Sequence, residues 1–300
     1  MSTRSLKKWA LLLTFWLALH TASLRADLVG PYPSGGGTPS FDVDANGLLL
    51  ATGTYGTGTL SLTGAGTRMF WYPGKGAFRA GRVDGTQWND TTSIGPYSVA
   101  FGYDTIASGW YSTALNINTS ASGNYSLATG IFTTAIGTAS TALNYGASAS
   151  GGNSLAAGAW TQANGTNSTA LGLYTVAGGN ASTALGWASS ASGVYSIAGG
   201  ATAYAMGKSS IALGSNVTAW AYDSFVVGAY NTGTNSSSGS ASTTSWVAID
   251  PLFEVGNGTS SIPTDALVVY KNGNVQAQGT IRCSPGGDLG MGSFTAGSHP

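Results

Sequence analysis

Charge is scarce in this sequence. Charged residues make up 7% of its 300 residues, against about a quarter in an ordinary soluble domain. The scarcity deepens between Tyr97 and Tyr222, where Asp104 and Lys208 are the only charged side chains and histidine is missing altogether. General acid–base catalysis needs a positioned titratable group, and a Ser-His-Asp arrangement needs a histidine beside its nucleophile. The many serines of this stretch therefore have no base to activate them, and the expectation is a non-enzymatic protein with no cofactor and no metal. A single cysteine, Cys283, excludes a disulfide within the chain and any thiolate zinc cluster. No basic stripe offers a footprint for nucleic acid.

Long apolar runs are equally rare. Arg4, Lys7 and Lys8 precede an apolar stretch from Trp9 to Leu19, and Leu24-Arg25-Ala26 supplies a small residue at a cleavage point. Residues 1–26 read as an export signal. Its removal leaves 11 acidic and 7 basic residues, a net charge of −4. No other segment approaches the ~20 apolar residues of a membrane-spanning helix, so no membrane insertion beyond the signal is expected.

What the chain does have is glycine, 46 residues of it, and a repeat. From Tyr97 the sequence falls into 14-residue units without insertion, nine full units ending at Tyr222 and a partial tenth from Asp223. The second position is serine throughout, from Ser98 and Ser112 to Ser224. The fourth is alanine from Ala100 to Ala212, and the eleventh from Ala107 to Ala219. Glycine holds most sixth and thirteenth positions, such as Gly102 and Gly109, with Asn116 and Asn144 as substitutes at the sixth. The unit reads as two alternating segments, each closed by a glycine turn. Alternation with period two specifies β-strands, and two strands with two turns make one coil of a narrow solenoid. The alanines are expected to point inward, with nothing larger between the sheets.

The outward positions differ between the two strands. Beside the fourth-position alanine they are often apolar: Val99, Phe101, Leu127, Leu143, Leu155, Leu171, Leu185, Ile197, Ile211 and Leu213. Beside the eleventh they are mostly polar, as at Ser120, Ser148, Gln162 and Ser190. An alanine interior buries little area, and at ~25 cal/mol per Å2 it does not easily offset ordering at ~1–2 kcal/mol per residue. The apolar face is therefore expected to pack against copies of itself in a cyclic homo-oligomer.

Units such as Ser182-Thr183-Ala184-Leu185-Gly186 and Ser210-Ile211-Ala212-Leu213-Gly214 resemble the YadA-type head repeat of trimeric autotransporter adhesins. The resemblance implies an all-β, left-handed parallel β-roll, three of which pack as a homotrimer into a head that binds host or matrix ligands. It also implies a secreted or bacterial cell-surface location. It covers residues 97–230; a long heptad stalk and a four-stranded C-terminal barrel anchor are not recognisable, so self-anchoring by these 300 residues is not expected.

The flanks, 27–96 and 245–300, read as short β regions, joined to the repeat on the C-terminal side by a Ser/Thr/Gly linker at 231–244. Pro31–Pro39 is a Gly/Pro/Ser linker, and Leu48–Leu50 and Thr59–Leu62 read as short strands. Thr67–Tyr72 and Ala77–Ala80 flank a Pro-Gly-Lys-Gly turn, and Ala266–Tyr270 and Val275–Ala277 flank Lys-Asn-Gly-Asn; both are hairpin patterns. Arg68, Lys75, Arg79 and Arg82 cluster in sequence, as a solvated hairpin face or an anion-binding patch. Candidate ligand-binding residues are aromatic: Tyr97, Tyr111 and Tyr125 share the first repeat position and are expected to stack one coil apart, about 4.8 Å. Trp110, Trp160, Trp187 and Trp220 fall at turn or outer positions. The expected ligand is an extracellular glycan or matrix protein. Two rival readings compete with the adhesin head. An ice-binding solenoid needs an unbroken threonine ladder, and the Thr113, Thr141, Thr169, Thr183 column is interrupted at 99, 127, 155, 197 and 211. A phage-fibre-like structural protein or spike enzyme would draw any catalytic acids from the flanks.

Overall fold

The computed structural model describes residues 41–43, 49–60, 63–233 and 241–279. The export signal, the Pro31–Pro39 linker, Cys283 and His299 lie outside the described residues. The chain divides into two units, Met1–Tyr125 and Ser126–Pro300, and the 14-residue coil builds both. Each coil supplies a five-residue strand and a two-residue strand. In the first unit these are Val99–Tyr103 and Ile106–Ala107, followed by Thr113–Ile117 and Ser120–Ala121. The second holds eight five-residue strands, from Leu127–Ile131 to Phe225–Ala229, and seven two-residue strands, from Thr134–Ala135 to Thr218–Ala219. Strands pair in parallel with the residue fourteen positions on, as in Val99↔Thr113, Thr141↔Leu155 and Leu155↔Thr169. The repeat is thus an all-β parallel solenoid in which each sequence position becomes a column.

The inward columns match the serine and alanine pattern. Every fourth-position alanine from Ala100 to Ala212 and every eleventh from Ala107 to Ala219 is fully buried. The expectation that nothing larger fits is corrected by the ninth column, where Thr105, Thr119, Thr133, Thr161, Thr175 and Val217 are buried as well. The ninth residue immediately precedes each short strand, as Thr105 precedes Ile106–Ala107 and Thr119 precedes Ser120–Ala121. Several second-position serines donate across the turn, as Ser112 Oγ does to the Gly109 carbonyl at 2.7 Å and Ser196 Oγ to that of Gly193 at 2.7 Å.

The sixth position is a positive-φ site as expected, with φ from 85° at Asn116 to 146° at Gly214, but glycine does not mark every corner of the coil. Further left-handed corners are the first and eighth positions, and they are mostly not glycine: Tyr111, Asn153, Trp160, Tyr174 and Tyr195 have φ between 54° and 60°. Non-glycine residues adopt this region at a cost of about 1–2 kcal/mol each. Here the corner amide is tied to the preceding coil, as in Trp160 N–H to Tyr145 O at 2.8 Å, and the side chain points outward. Glycine at positions six and thirteen also permits close stacking of coils. A Cβ on Gly158 would lie 1.9 Å from the Gly172 carbonyl oxygen, and one on Gly151 2.0 Å from that of Gly165.

Both flanks are hydrogen-bonded into the sheet of their own unit. Gly66–Tyr72 and Ala77–Val83 form the expected antiparallel hairpin, and Ala77–Val83 then pairs in parallel with Val99–Tyr103, Arg79 opposite Ala100. In the second unit Pro251–Asn257 pairs in parallel with Phe225–Ala229, Glu254 opposite Val226. Asp265–Tyr270 and Val275–Ala277 extend it as antiparallel strands. Part of the 231–244 stretch also lies along the roll: Tyr222 N–H donates to Ser242 O and Lys208 N–H to Thr243 O, both at 2.7 Å. Leu49–Ala51 pairs with Phe41–Val43, whereas Thr59 and Leu60, expected in a strand, are in none.

The four basic residues of the first hairpin form neither an exposed face nor an anion patch. Arg79 is fully buried. Lys75 Nζ donates to Ile94 O at 2.7 Å, Arg68 to the Gly64 carbonyl, and Arg82 pairs with Asp84 at 2.9 Å. The alternating strand register sends these side chains to different places, which their closeness in sequence conceals.

Candidate functional site

Three surfaces arise from columns of the coil. The first is the outer face of the long strands. Phe101, Leu185, Ile197 and Leu213 are 37–40% exposed, and Val99, Leu127, Leu143, Leu155, Leu171 and Ile211 are half-buried. Phe101 at the start of the column meets Phe78 edge to face at 5.4 Å and 88°. The outward positions of the short strands are mostly hydroxyl and amide groups, broken by Ile106, Ile136, Val176, Tyr204 and Met206, so this face is the more polar of the two, as expected from the repeat. Monomeric proteins rarely leave extensive apolar patches open unless they are interaction surfaces.

The second surface is the first-position corner of the first unit. Tyr97, Tyr111 and Tyr125 stack at 4.9 and 5.3 Å with interplanar angles of 12° and 3°. Tyr55, which the sequence did not mark, adds a fourth ring at 5.0 Å. A hydrogen bond with Tyr55 is the main reason the Tyr97 phenol is held above its ordinary pKa. Trp110 sits beside this ladder at position fourteen, 52% exposed, its backbone N–H bonded to Asn124 Oδ1 at 3.0 Å. Stacked rings present edges and hydroxyls to solvent rather than open faces.

The third surface is the opposite corner of the coil, positions seven and eight, in the second unit. Phe132, Tyr145 and Trp160 meet edge to face: 6.1 Å and 87° for the first pair, 5.2 Å and 84° for the second. Tyr174 and Trp187 follow on the next two coils, 54% and 52% exposed. The Trp160 ring is seated on Gly146, where a Cβ would lie 2.6 Å from its Cε3. The sequence pattern points to Trp160 and Trp187 but not to Phe132, Tyr145 and Tyr174, because the strip alternates between two columns and no single position reveals it. Trp220 belongs to neither corner: it is half-buried on the short-strand side, near Gly233.

One further group stands out chemically. Glu254 is 5% exposed and its Oε2 accepts from Asn231 Nδ2 at 2.8 Å. Burial lifts its carboxyl to about 7; the Asn231 hydrogen bond opposes the rise and Asp265 adds to it. It borders a cavity of about 460 Å3 lined also by Thr232, Asp265, Tyr270 and Gln276. Among the described residues no group of three or more His, Cys, Asp or Glu side chains could hold a metal ion. No helix among them is long and apolar enough to cross a membrane.

A parallel roll in which each repeat position forms a column, with one apolar outer sheet, defines a repetitive β-solenoid protein. Comparison with known families agrees and is more specific. The model of the YadA head domain repeat (two copies) matches residues 91–115, 128–153, 149–175 and 177–203, so residues 91–203 carry YadA-like head repeats. That family suggests a surface adhesin-type protein and a surface or extracellular location. No curated protein matches the chain.

Proposed function

We propose that this protein is a secreted or surface-exposed, non-enzymatic adhesin head that works as a homotrimer and holds an extracellular ligand on its aromatic corners. The observation that carries this reading is the apolar outer column of the long strands, laid on repeats that match the YadA head model over residues 91–203. A sheet face of Val, Leu, Ile and Phe interspersed with Thr, beside one that is mostly Ser, Thr and Gln, gives a directional surface, and threefold packing of the more apolar side buries it in a closed assembly. The lack of charge on that face suits it to self-association, since no buried charge needs a partner.

Light scattering on the purified protein tests the assembly: a stable mass of three chains is expected, and a folded monomer would overturn the reading. Leu171→Asp with Leu185→Asp places charges on the apolar face and is expected to dissociate the trimer while leaving far-UV dichroism of the coils in place. A trimer untouched by both substitutions would show that another surface holds the chains together.

A further inference from the structure

We infer that the corner strip of Phe132, Tyr145, Trp160, Tyr174 and Trp187 is a binding site for an extended, uncharged β-1,4-linked polysaccharide. This deepens the adhesin reading, on which it rests, by giving the ligand a chemical class. The five side chains come from five successive coils, one large aromatic per coil. All are 40–54% exposed. Coils in a parallel stack advance by about 4.8 Å, and the first three ring centroids lie 6.1 and 5.2 Å apart with neighbouring planes nearly perpendicular, so the strip offers one aromatic side chain per coil, ring faces alternating with edges over its first three members. An extended β-1,4-linked pyranose chain advances by a similar length per sugar, and its flat, C–H-bearing ring faces pack on aromatic rings. A polysaccharide laid along the strip therefore stays in register with it. A helical α-linked glycan curves away.

The strip is also organised before any ligand arrives. Trp160 is held on Gly146 from below and against the Tyr145 edge from the side, and Phe132 braces the other side of Tyr145. Rings fixed in this way lose little further freedom on binding. The exposed amides of Asn144 and Gln162 lie within one coil of these rings and can serve sugar hydroxyls.

Charge selects the occupant. No Asp, Glu, Lys, Arg or His occurs between residues 105 and 207, so the strip cannot pair with the acidic groups of a uronate or sulfated glycan. A peptide would need free backbone edges to add a strand. The corner amides are already spent within the stack, Trp160 N–H on Tyr145 O at 2.8 Å and Tyr174 N–H on Ala159 O at 2.9 Å.

The test is retention of the purified protein on microcrystalline cellulose, together with tryptophan fluorescence titrations with cellohexaose and maltohexaose. Retention is expected to be unchanged between low and high salt. Cellohexaose, and not maltohexaose, is expected to shift the emission. Trp160→Ala with Trp187→Ala is expected to lower retention at least tenfold, while Trp246→Ala, at a tryptophan 54% exposed and outside the coils, leaves it intact. Absence of retention, equal response to the two oligosaccharides, or retention unaffected by the double substitution would each overturn the site. Light scattering of every variant separates this from the assembly reading. A trimer that ignores cellulose leaves the adhesin head standing without this ligand. A double variant that falls apart into monomers assigns the strip to contact between copies instead.

Discussion

Two places in the chain put a charged residue into the column that alanine, and at its end Val226, otherwise fills, and they do so differently. Before the first coil, Arg79 lies opposite Ala100; after the last, Glu254 lies opposite Val226. Arg79 is surrounded by acceptors. Its guanidinium donates to the carbonyls of Phe78 and Ser98 at 2.9 Å, to Ser98 Oγ at 2.7 Å and to Ala107 O at 3.0 Å. Burial lowers its pKa to about 10, which leaves it charged at neutral pH. Glu254 has one side-chain donor, Asn231, and burial raises it to about 7, which leaves it half-protonated there. A solenoid whose coils are nearly identical must end by capping the open hydrogen-bonding and apolar surface of its last turn. The N-terminal flank does so with a permanent cation matched to carbonyl oxygens, the C-terminal flank with a group whose charge depends on pH.

Removing the better-matched cap is expected to cost most. Arg79→Ala leaves the Ser98 and Ala107 carbonyls without their charged donor and opens a void the size of the side chain. Charge-assisted hydrogen bonds of this kind are worth about 1.5–3 kcal/mol each, and the net loss is expected to be about 4 kcal/mol, in the range of the large buried-network mutants. Hydrogen exchange at Gly95, Val99 and Ile106 is expected to accelerate, and Arg79→Lys, which cannot fork between both carbonyls, to recover only part of the loss. Ordinary exchange protection in Arg79→Ala would show that the cap contributes shape alone.

The C-terminal cap is expected to give a smaller, pH-dependent effect. A carboxyl raised from its ordinary 4.5 to about 7 holds its proton in the folded state after the unfolded chain has released it. Its favourable contribution is thus fully present below pH 4.5 and is lost as pH rises through 7, about 3 kcal/mol across the window. Glu254→Gln keeps an acceptor for Asn231 and removes the titration. Compared with the parent, the variant is expected to gain stability between pH 5 and pH 8 in denaturant melts. A parent and variant that differ by the same amount at both pH values would show that Glu254 ionises normally in the fold.

The contrast between repeat and caps also marks which features are legible in the sequence. Within the coils each position meets the same surroundings nine times over, so the serine and alanine columns, the polar face and the apolar face can all be read from the residue pattern alone. The left-handed corners cannot, because Tyr, Asn, Ala, Ser and Asp share the first position and no glycine flags it. What those residues have in common is an outward side chain and an amide bonded to the coil before, and neither leaves a mark in composition. Arg79 and Glu254 are hidden for the opposite reason: each occurs once, and a lone charge in a polar-looking flank reads as surface. The aromatic corners are partly legible. The tyrosine ladder keeps one column and is visible as a column; the strip through Phe132, Tyr145 and Trp160 switches columns and emerges only when the coils are stacked.

Trp88 sharpens the account of the N-terminal cap at the smallest scale. It is 1% exposed, its ring meets Phe70 edge-on at 6.1 Å and 72°, and Nε1 donates to the Thr105 carbonyl at 2.8 Å. It thus closes the ninth column of the first coil, as Arg79 closes the fourth. Trp88→Phe keeps most of the apolar packing and removes the donor alone, so the expected loss is that of one neutral hydrogen bond, about 1 kcal/mol, measured by denaturant midpoint. Because Trp88 and Arg79 bond different carbonyls, Thr105 for one and Ser98 and Ala107 for the other, the double variant Trp88→Phe with Arg79→Ala is expected to lose close to the sum of the two. A loss well short of that sum would mean that the two side chains act as one plug, and that the cap is a single packed unit rather than a set of columns closed one by one.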